Sequence, residues 1–151
     1  MSLIIRESKV DDSEFVYCLL LNIATLHREA RPDVFEGLVS KYTLPEVQNR
    51  LSKPDNGVLI AEIDETVVGY VFCEIIKEGS GNTLYIDDLC VDPEYRSNGI
   101  GKMLLDAAKE YATAKSCSCV MLNVWEFNTG AISFYEKNGF ETRSRHMEIK
   151  L

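Results

Sequence analysis

The chain has 151 residues, 46% of them hydrophobic and 26% charged, with a formal net charge of -8. That length predicts one domain over residues 1–151 with a core of its own. No apolar run approaches the ~20 residues of a membrane span, MSLIIRESKV lacks a signal-peptide pattern, and the acidic balance argues against nonspecific nucleic-acid binding and favours cationic partners. The five cysteines (Cys18, Cys73, Cys90, Cys117, Cys119) are odd in number and scattered. They argue against a disulfide framework and for a reducing, cytoplasmic compartment. No second cysteine or histidine cluster completes a zinc set around Cys117-Ser118-Cys119, so no metal is expected.

Leu3-Ile4-Ile5-Arg6 reads as a first strand, and Asp11 or Asp12 can cap a helix through Phe15, Leu19, Leu20 and Ile23. LHREARPDVFEGLVSKYTLP follows, broken by Pro32, Gly37 and Pro45. Connections this long are often binding segments, and this one carries His27, Arg28, Arg31, Phe35 and Tyr42. A short helix over Leu44–Leu51 ends before Lys53-Pro54-Asp55-Asn56-Gly57. Val58–Ile63 and Val67–Lys77 are strands joined by the tight turn Asp64-Glu65-Thr66. Glu78-Gly79-Ser80-Gly81-Asn82 leads into a third antiparallel strand, Leu84–Val91, stopped by Asp92-Pro93. Ile100, Met103, Leu104, Ala107, Ala108 and Tyr111 then recur at helical spacing. Cys119–Val124 is a further strand. Thr129–Asn138 is an amphipathic helix, capped by Asn128 and ended by Gly139. Phe140 begins a return strand and Met147–Leu151 forms the last edge. Strands first, then helices alternating with strands, give an α+β domain with a mixed sheet.

The stretch Arg96-Ser97-Asn98-Gly99-Ile100-Gly101-Lys102 opens the Ile100 helix. A glycine turn at a helix N-terminus lets backbone N–H groups approach a phosphate or pyrophosphate. The dinucleotide fingerprint fails here, because its third glycine is absent and an acidic D-P-E-Y linker precedes the loop. The triphosphate loop G-x-x-x-x-G-K-[ST] fails as well, because Met103 follows Gly101-Lys102 and no glycine lies five residues before Gly101. R-x-x-G-x-G after a V-D-P-E-Y strand end does fit. There the residues resemble the GNAT family of N-acetyltransferases, whose acetyl-CoA signature is Q/R-x-x-G-x-G/A. A second block, N-x-x-A-x-x-x-Y-x-x-x-G-F, resembles the same family through Asn128, Ala131, Tyr135, Gly139 and Phe140.

The resemblance implies a mixed, mostly antiparallel sheet of about six to seven strands, flanked by about four helices, with a V-shaped splay between the Leu84 and Cys119 strands. It implies acetyl-CoA as the acetyl donor. Leu89, Cys90 and Val91 would pair their backbone with the thioester arm as an added strand would. Arg96, Ser97, Asn98, Gly99, Ile100, Gly101 and Lys102 would cradle the pyrophosphate, Asn128 would reach the pantetheine arm, and Tyr135 the sulfur. Asp87 stands where polyamine acetyltransferases carry an acidic residue; other branches place their base two residues earlier, which is Tyr85 here. Family members often pair through edge strands, which leaves room for a homodimer.

Acetyl transfer to an amine needs a deprotonated amine, a polarised thioester, a proton acceptor and a proton for the leaving thiolate. An alkylamine with a pKa of about 10.4 arrives charged, so a carboxylate is needed to attract it and drain its proton. Asp87 and Asp88 are the candidates, and strand alternation predicts that only one enters the cleft. A backbone N–H near Leu89 can polarise the carbonyl, and the Tyr135 phenol can serve the thiolate. No enzyme nucleophile is required, so Cys90 need not react. The expected acceptor is a small cationic amine, with a peptide amine as the alternative. The competing reading is an acyl-CoA-binding regulatory module without turnover. The intact Tyr135 and the acidic pair favour the enzyme.

Overall fold

A computed structural model describes residues 2–151. One sheet runs in the order β1 (Leu3–Glu7), β2 (Val58–Ile63), β3 (Thr66–Glu78), β4 (Gly81–Val91), β5 (Cys117–Leu122). The first three ladders are antiparallel, and β4 pairs with β5 in parallel. The helices are α1 (Ser13–Ala30), α2 (Pro32–Phe35), α3 (Leu44–Leu51), α4 (Ile100–Ala114) and α5 (Thr129–Lys137). β3 is buried from Val67 to Cys73 because both faces of the sheet are covered. On one face Tyr70 and Phe72 pack with Val16, Leu19 and Leu20 of α1 and Val47 and Leu51 of α3. On the other, Val68 and Val71 pack with Ile100, Leu104, Leu105, Ala108 and Ala112 of α4. Met103, expected on that stripe, is exposed instead.

Three local expectations change. α1 runs on to Ala30 and takes in His27 and Arg28, which the sequence places in the connection. It stops there because Pro32 disfavours a helical residue before it, and Arg31 is at φ -137°, ψ 70°. Asp12 makes no side-chain cap on α1; its carboxylate accepts the Lys9 N–H at 2.8 Å and takes Arg6 in a bidentate pair at 2.8 and 2.9 Å. β5 starts at Cys117 rather than Cys119, since Ser116 makes the turn out of α4 at φ +59°.

Among the described residues the sheet has five strands, not six to seven, and α2 brings the α-helices to five. The return strand expected from Phe140 and the edge expected over Met147–Leu151 do not form. Arg143, Glu148 and Lys150 there pair with side chains of the body (Glu78, Arg31 and Asp33).

Two irregularities shape the rest. The β4–β5 ladder ends at Ile86↔Leu122, so β4 continues from Asp87 to Val91 with no strand on that side. The β3–β4 register also shifts, from Cys73↔Ile86 to Phe72↔Asp88, leaving Asp87 as an extra residue. This is a β-bulge, and it resets which residues face which side.

Candidate active site

The bulge decides where the carboxylates go. Leu84 and Ile86 pack in the α4-side core, as do Leu89 and Val91 beyond the bulge, whereas Cys90 lies in the α1/α3-side core. Parity therefore flips at Asp87. Asp88 falls on the α1/α3 side, where its carboxylate accepts the Tyr70 hydroxyl at 2.7 Å. Asp87 turns to the same side, where its carboxylate accepts the Tyr42 hydroxyl and pairs with Lys41 at 3.0 Å. The expectation that alternation sends only one of the two into the cleft is thus corrected: an extra residue breaks the period of two.

The glycine turn is an uncommitted donor array. Gly99 is left-handed (φ +75°), which a side chain resists, and a Cβ there would point into open space. Ser97 is also at positive φ (+69°). The first α4 hydrogen bond runs from the Met103 N–H to Gly99 O (3.1 Å), and among the described residues the N–H groups from Ser97 to Lys102 have no backbone acceptor within the chain. Unpartnered N–H groups at the start of a 15-residue helix form an anion-binding end. Gly101 has a second role: a Cβ there would stand 3.4 Å from Phe134 of α5. Arg96 is spent partly on the frame, its Nε donating to Val91 O at 3.2 Å. Asn98 donates to Tyr95 O at 3.0 Å, and exposed Lys102 pairs with Asp106 at 2.6 Å.

Asn128 caps α5 as expected, its side chain accepting the Ala131 N–H at 3.2 Å. About two turns on, Tyr135 packs between Phe134 and Phe140, with ring centroids at 5.2 and 5.4 Å. The hydroxyls of Tyr42, Tyr70, Tyr85 and Tyr111 are all engaged by side chains. The Tyr135 hydroxyl has no partner in the chain among the described residues, yet it is not sealed off from solvent. Its ring is anchored and its donor is free.

Electrostatics couple these groups. Burial, then the nearby charges of Asp88 and Cys90, pushes the Tyr135 phenol up to about 12. Burial raises the Asp88 carboxyl against the hydrogen bond from Tyr70, with Lys41 pulling it down and Asp87 pushing it up. Burial and Asp88 push the Cys90 thiol up to about 12, so it is a core thiol and not a nucleophile at neutral pH.

Beyond Leu122 the chain joins an aromatic wall that sequence patterns do not reveal. His27 of α1 packs edge-on to Phe35 (5.0 Å) and Phe127 (5.5 Å). Trp125 contacts Phe35 (5.1 Å) and stacks on Phe127 (5.8 Å), and the Arg31 guanidinium lies over the Trp125 ring. The only signal for Trp125 and Phe127 is their alternate spacing just past a strand. A pocket of about 210 Å³ lined by Tyr42, Glu46, Val47, Arg50 and Phe72 opens beside Asp87's partner Tyr42. A wider hollow of about 410 Å³ under Leu38 and Val39 contains neither carboxylate. Among the described residues no three or more His, Cys, Asp or Glu side chains cluster as a metal site would need, and no described helix is long and apolar enough to cross a membrane.

Comparison with known proteins bears on this arrangement. Residues 22–140 match the model of the acetyltransferase (GNAT) family. An uncharacterized N-acetyltransferase of Methanocaldococcus jannaschii is 33% identical over 62% of this chain, which is 42% of its own length. The thialysine N-epsilon-acetyltransferase of Sus scrofa is 30% identical over 91% of this chain and 84% of its own. Among solved structures, the PaiA N-acetyltransferase of Thermoplasma acidophilum in complex with coenzyme A superposes with a TM-score of 0.83 at 25% identity, over 97% of this chain and 94% of that one.

Proposed function

The chain belongs to the GNAT acetyltransferase family, and from that premise we propose that residues 1–151 act as one cytoplasmic catalytic domain. It moves the acetyl group of acetyl-CoA to a small cationic primary amine, by direct attack with both substrates bound. The observation that carries this is a free Tyr135 hydroxyl within electrostatic reach of Asp88 and Cys90, which lie on the unpaired stretch of β4, followed in the chain by the uncommitted N–H groups of the glycine turn.

Acetyl-CoA, when bound, supplies an activated thioester. The backbone edge of Leu89, Cys90 and Val91 would take its arm as an added strand. Arg96, Ser97, Asn98, Gly99, Ile100, Gly101 and Lys102 would hold its pyrophosphate, and the Leu89 N–H would polarise its carbonyl. The two carboxylates divide the amine's needs. Asp87 already holds an ammonium, that of Lys41, and serves to attract the acceptor. Asp88, electrostatically coupled to Tyr135, takes the proton, directly or through water. This differs from what the resemblance to polyamine acetyltransferases implies, which puts the acidic residue at Asp87. Protonating Asp88 removes a charge that raises the phenol, so Tyr135 becomes a stronger donor as the thiolate forms.

A small amine is favoured over a peptide by the modest pocket at Tyr42 and Phe72 and by a relative named for thialysine, and over a regulatory role without turnover by the free hydroxyl. The test mixes the protein and acetyl-CoA with thialysine, lysine, polyamines, aminoglycosides and a lysine peptide, and follows thiol release. Turnover of a small diamine with none of the peptide is expected. Tight acetyl-CoA binding with no acceptor turned over would instead indicate the regulatory module.

A further inference from the structure

The Lys41 ammonium stands where the acceptor amine of the proposed reaction would have to stand. Lys41 lies on the connection between α2 and α3, with 46% of its side chain exposed. Its Nζ donates to Asp87 O at 2.8 Å, pairs with Asp87 Oδ1 at 3.0 Å and lies 5.9 Å from the centre of the Tyr42 ring. A carbonyl, a carboxylate and an aromatic face together make an ammonium site. The bulge leaves this site open. Asp87 has no partner residue on β3, and the ladder to β5 has already ended at Ile86. Lys41 is also close enough to Asp88 to pull its carboxyl down.

Among the described residues Lys41 alone is placed this way. The ion pairs of Lys102, Lys109, Lys115 and Lys150 go to Asp106, Asp55 and Asp33, not to Asp87 or Asp88. Lys41 is not clamped at Asp87 either. A pair with a half-exposed partner contributes little, and the four-carbon stem of lysine is flexible. Leu89, whose N–H is proposed to polarise the thioester, lies two residues along β4 from Asp87, about 7 Å at the rise of a strand. That is within the sweep of a lysine whose ammonium already rests on Asp87.

We propose that Lys41 is a site of self-acetylation: the chain moves an acetyl group from acetyl-CoA to its own Lys41 Nζ, and the modified side chain releases Asp87 to the free acceptor. This rests on the acetyl transfer proposed above and adds its regulation. Nζ gives its first proton to Asp88, directly or through water, and its freed electron pair attacks the thioester carbonyl carbon. The N–C bond forms, the C–S bond breaks, and the sulfur leaves with the electron pair. Of the two protons that Nζ loses, one ends on the thiol and the other in water. A neutral acetamide and free coenzyme A remain. Acetylation removes the charge that held Lys41 on Asp87, so the site is occupied by its own lysine until acetyl-CoA has modified it.

The test incubates the full chain with acetyl-CoA alone and maps acetylated peptides by mass spectrometry, beside thiol release with the panel of small amines. One acetyl group per chain is expected, on Lys41 and not on Lys150, although the Lys150 side chain is 75% exposed. The first-order rate should not change on dilution of the protein, and Tyr135→Phe should slow it by about 10²–10³-fold, as for amine transfer. The acetylated protein should show a KM for cationic amines lower by about 1.4–5-fold. Acetyl-Lys41 with no small amine turned over would support self-acetylation and refute the small-amine acceptor. Amine turnover with Lys41 unmodified would overturn self-acetylation and leave the proposed function standing; neither reaction would overturn both. Acetyl groups spread over the exposed lysines at a rate indifferent to Tyr135→Phe would mark chemical acetylation and overturn it as well. A rate that rises with protein concentration would overturn transfer within one chain, and an unchanged or raised KM would overturn the release of Asp87.

Discussion

Tyr135→Phe isolates one hydroxyl. The ring keeps its contacts with Phe134 and Phe140, and the lost Oη has no partner in the chain among the described residues. The change in stability should therefore stay within about 0.5 kcal/mol. The catalytic effect is larger. With the phenol near 12 and an ordinary thiol near 8.5, complete proton transfer in the resting site is uphill by about 3.5 pKa units, or roughly 5 kcal/mol. In the role proposed for it, Tyr135 would therefore act first as a hydrogen-bond donor to developing charge. Removing one such donor costs about 10²–10³-fold in kcat. The donor matters only as the thiolate forms, so the dissociation constant for acetyl-CoA should barely move. The assay is thiol release with a productive amine, alongside calorimetry of acetyl-CoA binding. An acetyl thioester of a more acidic thiol should partly restore the variant. The active form is the protonated phenol, so with a pKa of about 12 it gives no reason for kcat to fall between pH 7 and 10. Normal turnover of acetyl-CoA by Tyr135→Phe would refute the assignment and make the residue core packing.

Gly99→Glu puts a charged side chain into the open space proposed for the pyrophosphate and should abolish acetyl-CoA binding in a folded protein; calorimetry showing unchanged affinity would remove the phosphate assignment. Gly101→Glu should behave likewise but melt earlier, because its Cβ meets Phe134 at 3.4 Å. Asp88→Asn should lower kcat, most at low pH where less amine is neutral, while Asp87→Asn should chiefly raise KM for cationic amines; equal, small effects would return both to a structural role. Lys41→Met removes an ammonium that competes for Asp87. An exposed pair worth about 0.2–1 kcal/mol predicts a KM for cationic amines lower by about 1.4–5-fold, and a raised KM would show that Lys41 helps rather than competes. Burial pushes Asp12 up, but the Arg6 hydrogen bonds and the Lys9 N–H outweigh it and leave its carboxyl below the usual value. Its stabilisation is thus present above about pH 4 and lost as pH falls through the depressed folded value. Asp12→Asn should cost about 2–3 kcal/mol at pH 7 and flatten the acid limb of a urea-midpoint profile.

What could be read from the chain was whatever is decided within a few residues. The α3 boundaries follow from Thr43 and Glu46, a reciprocal cap, and the β2–β3 hairpin from its turn. The left-handed Gly99 follows from a glycine where the chain must turn into α4. What could not be read depends on a second segment. The Asp87 bulge exists because β3 offers one residue fewer than β4 across the same span, and neither strand shows that alone. It decides that both carboxylates share a side, which alternation applied to β4 by itself gets wrong. The aromatic wall joins His27 and Phe35 to Trp125 and Phe127 across most of the chain, and no local pattern links them. The segment Met147-Glu148-Ile149-Lys150-Leu151 makes the same point most sharply. Its alternation is real strand chemistry, and it led to an expected edge in this chain's own sheet. A period of two specifies which side chains share a face, but it does not supply the neighbouring strand, and here the backbone from Glu141 on stays out of the sheet.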